Sequence, residues 1–257
     1  NVYICQTTNT PTLDSHVNGT SSFGKQTEYS LFDFHYQYAN RRKINPWSVE
    51  ADVQTLGKTT KLSAEMATEY TYARKKGVRL RLFGGKMFNR NREFLPDLAF
   101  NASGIYGTFT GSSDYLFDQT LIGRSETDGL WSHQMVGNGG GVATLTPLGR
   151  DGDWLVAANF SVDFPKKIPL SAFANISTFS QAKTLLENGE RFIYEAGLRV
   201  NVVRNIFEIY VPLYLSKDMQ RVADLNRQHF LDHIRFKLNL NTLNPLKAVK
   251  RYKQIVL

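Results

Sequence analysis

The chain has 257 residues, with 31 Lys plus Arg against 23 Asp plus Glu, a formal net charge of +8 and a single cysteine. That length holds one large domain or two small ones, and the 42% hydrophobic and 12% aromatic content belongs to an ordered protein. The lone Cys5 excludes a disulfide scaffold. A membrane-spanning helix is excluded because no apolar run reaches about eighteen residues: the longest uncharged region, Gly129 to Gly149, is broken by Gly, Asn and Pro. A mildly negative hydropathy does not exclude a transmembrane β-barrel, since half of its strand residues face a polar lumen.

The sequence opens at Asn1 with no charged leader or apolar signal core, which reads as a mature or truncated product. Cys5 follows Val2-Tyr3-Ile4, without the small residue that a lipoprotein cleavage site requires. Asn1 to Thr8 is a first candidate strand. Period-two alternation then dominates, sending every second side chain to one face. Phe32, Phe34, Tyr36 and Tyr38 oppose Asp33, His35 and Gln37; Trp47, Val49, Ala51 and Val53 oppose Ser48, Glu50, Asp52 and Gln54. Leu62, Ala64, Met66, Tyr70 and Tyr72 oppose Lys61, Ser63, Glu65 and Glu69. Val78 to Phe88 and Leu98 to Gly107 are weaker candidates. Beyond a long Gly-rich stretch, Thr108 to Asp153, come Trp154 to Phe164, Ile168 to Phe179, Arg191 to Val202, Phe207 to Leu215 and Ile234 to Asn241.

This pattern predicts an all-β, antiparallel transmembrane β-barrel over 1–245, of about 12 strands within a range of about 11–16, followed by a basic periplasmic tail over 246–257. Strands of about ten residues cross a bilayer at barrel tilt. Aromatic residues sit near strand ends on the apolar face, as interfacial girdles do, while mid-strand charges occupy the other face. From Trp154 onward the connections alternate short and long, the asymmetry of outer-membrane barrels. The stretch 108–153 is read as a long lid loop, because connections of that length are usually functional. A soluble antiparallel sandwich or barrel with its oily faces turned inward shows the same alternation and is the rival reading. On the membrane reading Phe192, Leu198, Phe236 and Leu238 face lipid, and Arg79, Arg81, Arg191, Arg199, Arg235 and Lys237 are offset by Asp33, Glu50, Asp52, Glu65, Glu69, Glu195 and Glu208 across an occluded interior.

The order of motifs carries a resemblance. Tyr115-Leu116-Phe117, Gly123-Arg124-Ser125, Gly129-Leu130-Trp131, Gln134 and Gly139-Gly140-Gly141 precede a strand closing on Phe164-Pro165. The strand patterns of 168–178, 192–202, 206–213 and 234–240 follow. Over roughly Tyr115 to Pro245 this resembles the last five strands and preceding lid loop of BamA-type barrels, which insert or translocate proteins at outer membranes. It is similar, more closely, to the C-terminal barrel region of gluzincin-type, aminopeptidase-like metallopeptidase chains of Bacteroidota. The resemblance implies that the family's loop arginine falls on Arg124, with the acidic residues it pairs with falling on Ser161 and Asn175. Both are neutral here. An uncompensated buried guanidinium is costly, so Arg124 either turns to Asp163, Glu195 or Glu208, or the loop does not insert. That departure favours an anchor over a working insertase.

Catalytic motifs are missing. No His-Glu-x-x-His occurs, and His229 and His233 lack a third ligand nearby in sequence, so they read as loop histidines. No phosphate-binding loop surrounds Gly137 and Gly139 to Gly141. The chain is therefore expected to be no enzyme and to need no cofactor, with any peptidase machinery upstream. The charges alternate along strands instead of gathering in a stripe, which argues against nucleic acid. The expected partners are membrane lipid and other outer-membrane or cell-surface proteins, in the bacterial outer membrane. Lys247, Lys250, Arg251 and Lys253 are placed to meet anionic headgroups, or to remain solvated.

Overall fold

The computed structural model describes residues 2–7, 13–14, 22–23, 29–40, 42, 44–74, 76–89, 99–103, 129–135, 139–165, 168–187, 190–203 and 206–239. Twelve strands occur among them. They are β1 (Val2–Thr7), β2 (Leu13–Asp14), β3 (Ser22–Phe23), β4 (Tyr29–Asn40), β5 (Trp47–Leu56), β6 (Thr59–Ala73), β7 (Lys76–Phe88), β8 (Trp154–Asp163), β9 (Leu170–Phe179), β10 (Ile193–Val203), β11 (Phe207–Leu215) and β12 (Arg235–Leu238). Ten form one sheet in the order β1-β4-β5-β6-β7-β8-β9-β10-β11-β12, and β2 pairs with β3 in a separate two-stranded ribbon. Every pairing is antiparallel, so the long sheet is a meander of neighbours. Three short helices, α1 (Ala182–Leu185), α2 (Lys217–Leu225) and α3 (Phe230–His233), sit in the connections. No described helix is long and apolar enough to cross a membrane.

Alternation sets the two faces. Phe32, Phe34, Tyr36 and Tyr38 of β4, Leu62, Met66 and Tyr70 of β6, Leu80 and Leu82 of β7, Val156 and Phe160 of β8, Ile176 of β9 and Leu213 of β11 are exposed. The opposite parity carries the buried polar side chains Ser161, Asp163, Ser171, Asn175, Ser177, Glu195, Arg199 and Glu208. Residues from β4 through β12 line a single cavity, so the sheet curls until its two halves face one another.

The connections divide by end. Turns β4–β5, β6–β7, β8–β9 and β10–β11 are short, whereas β7–β8, β9–β10 and β11–β12 are long and emerge together at the other end. At that end β5 and β6 are joined by Gly57-Lys58, with Leu56 opposite Thr59; Gly57 supplies φ +56° for the tight reversal. An apolar core fills the inner face here. Met87, Leu155, Phe179 and Ile193 of the wall meet Phe100, Ala102 and Val142 of the β7–β8 connection, with Ala182, Leu186 and Met219 from the other long connections.

Two expectations are corrected. The described part of Leu98 to Gly107 is not a wall strand. Phe100 and Ala102 alternate like strand residues, but both are buried in this core, and their N–H groups donate to Asp151 O (2.7 Å) and Gly149 O (3.0 Å) of the same connection. The last strand is also shorter than expected, Arg235–Leu238 instead of Ile234 to Asn241, with 240–241 outside the described residues.

Candidate functional site

Inward parity and antiparallel register bring the polar residues of β6 to β12 into one network. Arg79 donates Nε to Glu69 at 3.0 Å and its two terminal nitrogens to Asp163 at 3.2 and 3.0 Å. Asp163 also accepts from Gly77 N (3.1 Å) and Ser171 Oγ (2.6 Å), while its backbone carbonyl accepts from the Tyr72 hydroxyl. Such a fork-on-carboxylate pair fixes direction as well as distance. Arg81 donates to Glu65 (2.6 Å), Asn159 Oδ1 (2.7 Å) and the Gly139 carbonyl (2.8 Å).

The last of those bonds belongs to the lid. Asn159 Nδ2 reaches Gly140 O and Asn175 Oδ1, both at 2.9 Å. Asn175 Nδ2 donates to Glu195 Oε1 at 2.7 Å, and Glu195, 1% exposed, accepts the N–H groups of Ala143 (2.5 Å) and Thr144 (3.0 Å). The segment 139–144 is therefore clamped to the wall through its main chain. Gly141 makes the fit possible: a Cβ there would lie 2.7 Å from Asn159 Oδ1, and its φ is +64°.

A second lid segment covers the free edge of β12. Residues 130–133 form one turn of 3-10 helix, after which Gln134 bridges Phe236 in parallel and Met135 N donates to Phe236 O at 2.8 Å. Arg235 Nη1 donates to Ser132 O at 2.7 Å, and His133 Nδ1 meets Ile234 O at 2.8 Å. Trp131 packs edge-on against Phe236, which also meets Phe207. At α3, His229 N donates to Asp232 Oδ2 at 2.7 Å as the helix begins, and His233 at its end is buried. Burial, and next the nearby Arg235 cation, hold the His233 imidazole below its ordinary pKa, against the opposing pull of Asp232 and Asp224.

The expected residues are placed as follows. Asp163, Glu195, Arg199 and Glu208 all face inward and are buried, as is Arg235. Arg199 stands 3.6 Å from Asp163 and 3.7 Å from Glu208. Arg235 instead meets a lid carbonyl. Arg124 and the tail residues Lys247, Lys250, Arg251 and Lys253 lie outside the described residues. Arg191 is exposed and lies before β10, so it takes no part in the inner network expected for it. Phe192 is exposed, and Leu198 and Leu238 are half-buried. Phe236 departs from its expected outward exposure, at 7%, because the Trp131 ring covers it.

Sequence reasoning passed over Asn159 and read Asn175, like Ser161, as a neutral gap in a family pattern; the inward parity of the two asparagines was the available signal. The carboxylate sits one strand further on, since Glu195 is directly opposite Asn175 in register. On β4 and β5, His35 Nδ1 lies 3.1 Å from Asp52 and 3.8 Å from Glu50. Their ligand atoms all fall within 4.8 Å of one another, spacing that suits a metal ion. Protein-family models, curated proteins and solved structures were all compared with the chain, and none matches.

Proposed function

We propose that this chain is an outer-membrane β-barrel module that anchors and presents an upstream peptidase-like domain or a larger surface assembly. One observation carries the reading: the exposed face of the meander is apolar and aromatic along β4 to β11, while the ionised side chains, apart from Lys76 and Lys86 near the two ends of β7, point the other way. An exposed apolar surface that continuous is rare on a soluble monomer and marks contact with lipid or protein. Strands β5, β8 and β9 have 10 residues each, a length that spans the hydrocarbon core at barrel tilt. Rings gather toward both ends of the outer face: Tyr38 and Trp47 touch at 5.1 Å beside the short turns, and Tyr194 stacks on Tyr214 at 6.0 Å toward the long connections. Amphipathic rings settle at headgroup depth.

In this reading the barrel closes, because open edges are not tolerated in hydrocarbon; about 12 strands are expected for it, of which ten form the described wall. The role of the chain is physical and non-catalytic, and exposed Leu225, Phe230 and Leu231 at the long-connection end offer a contact surface to protein partners. The test is solubility and folding with and without detergent. The folded state is expected only in detergent micelles or bilayers, with heat-dependent migration on a gel. A folded monomer in plain buffer would overturn the reading.

A second reading, an insertion or translocation barrel, is favoured by one feature: the outer edge of β12 is held by Gln134 and Met135, a short and replaceable contact. Deleting the chain and following the assembly of other outer-membrane proteins separates the two. Undisturbed assembly excludes an essential insertase.

A further inference from the structure

A cavity of about 740 Å³ remains on the inner face toward the short turns, a volume typical of small-ligand sites. Its β10–β12 side carries Arg199 and Lys237 beside Tyr210 and Glu208. Arg199 is 6% exposed, and the ion pairs that offset its charge are long. The carboxylates of Asp163 and Glu208 stand beyond hydrogen-bond reach at 3.6 and 3.7 Å. The guanidinium donates to Ser171 Oγ only at 3.4 Å and lies over the Tyr210 ring, and its Nε–H has no partner.

The cause lies in the competition for acceptors. A carboxylate offers about four lone-pair positions, and Asp163 already accepts from Gly77, Ser171 and both terminal nitrogens of Arg79. Glu208 accepts the Tyr210 hydroxyl at 3.0 Å, and Glu195 is committed to Ala143, Thr144 and Asn175. Lys237 sits directly opposite Glu208 but forms no ion pair among the described residues. Two cations on the strands that flank β11 therefore face one cavity with fewer acceptors than donors, and buried donors of this kind call for an oxygen-rich guest.

We propose that this cavity is an oxyanion site: a phosphate or carboxylate group of a small soluble ligand binds against Arg199 and Lys237, with Phe173 and Tyr210, packed edge-to-face at 5.3 Å, forming its apolar side. The site is independent of what touches the outer face and goes beyond the anchoring role.

The full chain, folded in detergent micelles, is titrated calorimetrically with inorganic phosphate and separately with citrate. Saturable binding of at least one anion is expected up to millimolar concentration. Phosphate alone assigns a phosphate site, citrate alone a carboxylate site. Lys237→Gln weakens the binding at least about tenfold, as loss of a charge-assisted bond should; Arg42→Gln, at an exposed turn, leaves it unchanged. Arg199→Gln is expected to act like Lys237→Gln. Because Arg199 is buried, the Lys237 variant, checked for parental circular dichroism, decides the matter. Absence of saturable binding for both anions, or unaltered binding by folded Lys237→Gln, overturns the proposal.

Discussion

The wall formed by β4–β6 and the wall formed by β8–β11 have the same outer face and different inner ones. Outside, Phe34 and Leu62 on one are as exposed as Phe160 and Leu213 on the other. Inside, Asp33, His35, Glu50 and Asp52 remain half-exposed, whereas Asp163, Ser171, Asn175 and Glu195 are buried. The lid accounts for the difference: 139–144 and Phe100 pack against Phe179, Ile193 and Glu195, whereas on β5 burial is confined, among the described residues, to Gln54 and Leu56 at its far end. Strand alternation therefore decides which way a residue points. Burial is decided by whether another segment has polar anchors with which to dock.

The largest test of that contrast compares two glutamates of like orientation. Glu195→Ala strands two buried N–H donors and the Asn175 amide, a loss of about 3–5 kcal/mol, whereas Glu50→Ala on the open wall costs under about 1 kcal/mol. Chemical unfolding in micelles measures both, and equal losses would break the comparison. On the shared outer face, Leu198→Arg is expected to cost about 2–4 kcal/mol in a bilayer, with Asn201→Arg on the inner face costing much less. Refolding equilibria into lipid vesicles give the difference.

Gly141→Ala, which forces a Cβ against Asn159, is expected to cost about 1–3 kcal/mol and to speed hydrogen exchange at Ala143 and Thr144 without altering β4. The smallest effect is one of pH. Because the folded chain holds the pKa of His233 below its ordinary value of 6.5, the unfolded chain binds that proton more readily. The stability contributed is full above pH about 6.5 and falls as the pH drops below it. Unfolding measured across that window should show a slope that His233→Gln removes.

Much of the outer surface was legible in the sequence because lipid-like or solvent exposure imposes a strict period of two. In β4, β5, β6 and β10 the apolar parity in the sequence is the outward parity in the fold. It failed where a lid supplies an apolar environment inside. Phe173 and Phe179 of β9 point inward, and Phe100 alternates like a strand residue while lying in the core. Phe236 was misjudged for the converse reason, since nothing local predicts that Trp131, more than a hundred positions earlier, covers an outward ring. Gly57-Lys58 escaped notice because Gly-Lys is a weaker hairpin signal than Asn-Gly. The docking pair Asn159 and Asn175 looked inert because amides declare neither charge nor period, and their use depends on a carboxylate twenty residues on from Asn175.

The clamp between Glu195 and the main chain of Ala143 and Thr144 also bears on the order of assembly. The two donors emerge 51 and 52 residues ahead of their acceptor, and β8, β9 and β10 must all be paired before that acceptor is in position. A segment built ahead of β10 is thus clamped only after it, and until that strand arrives the two amides belong to water.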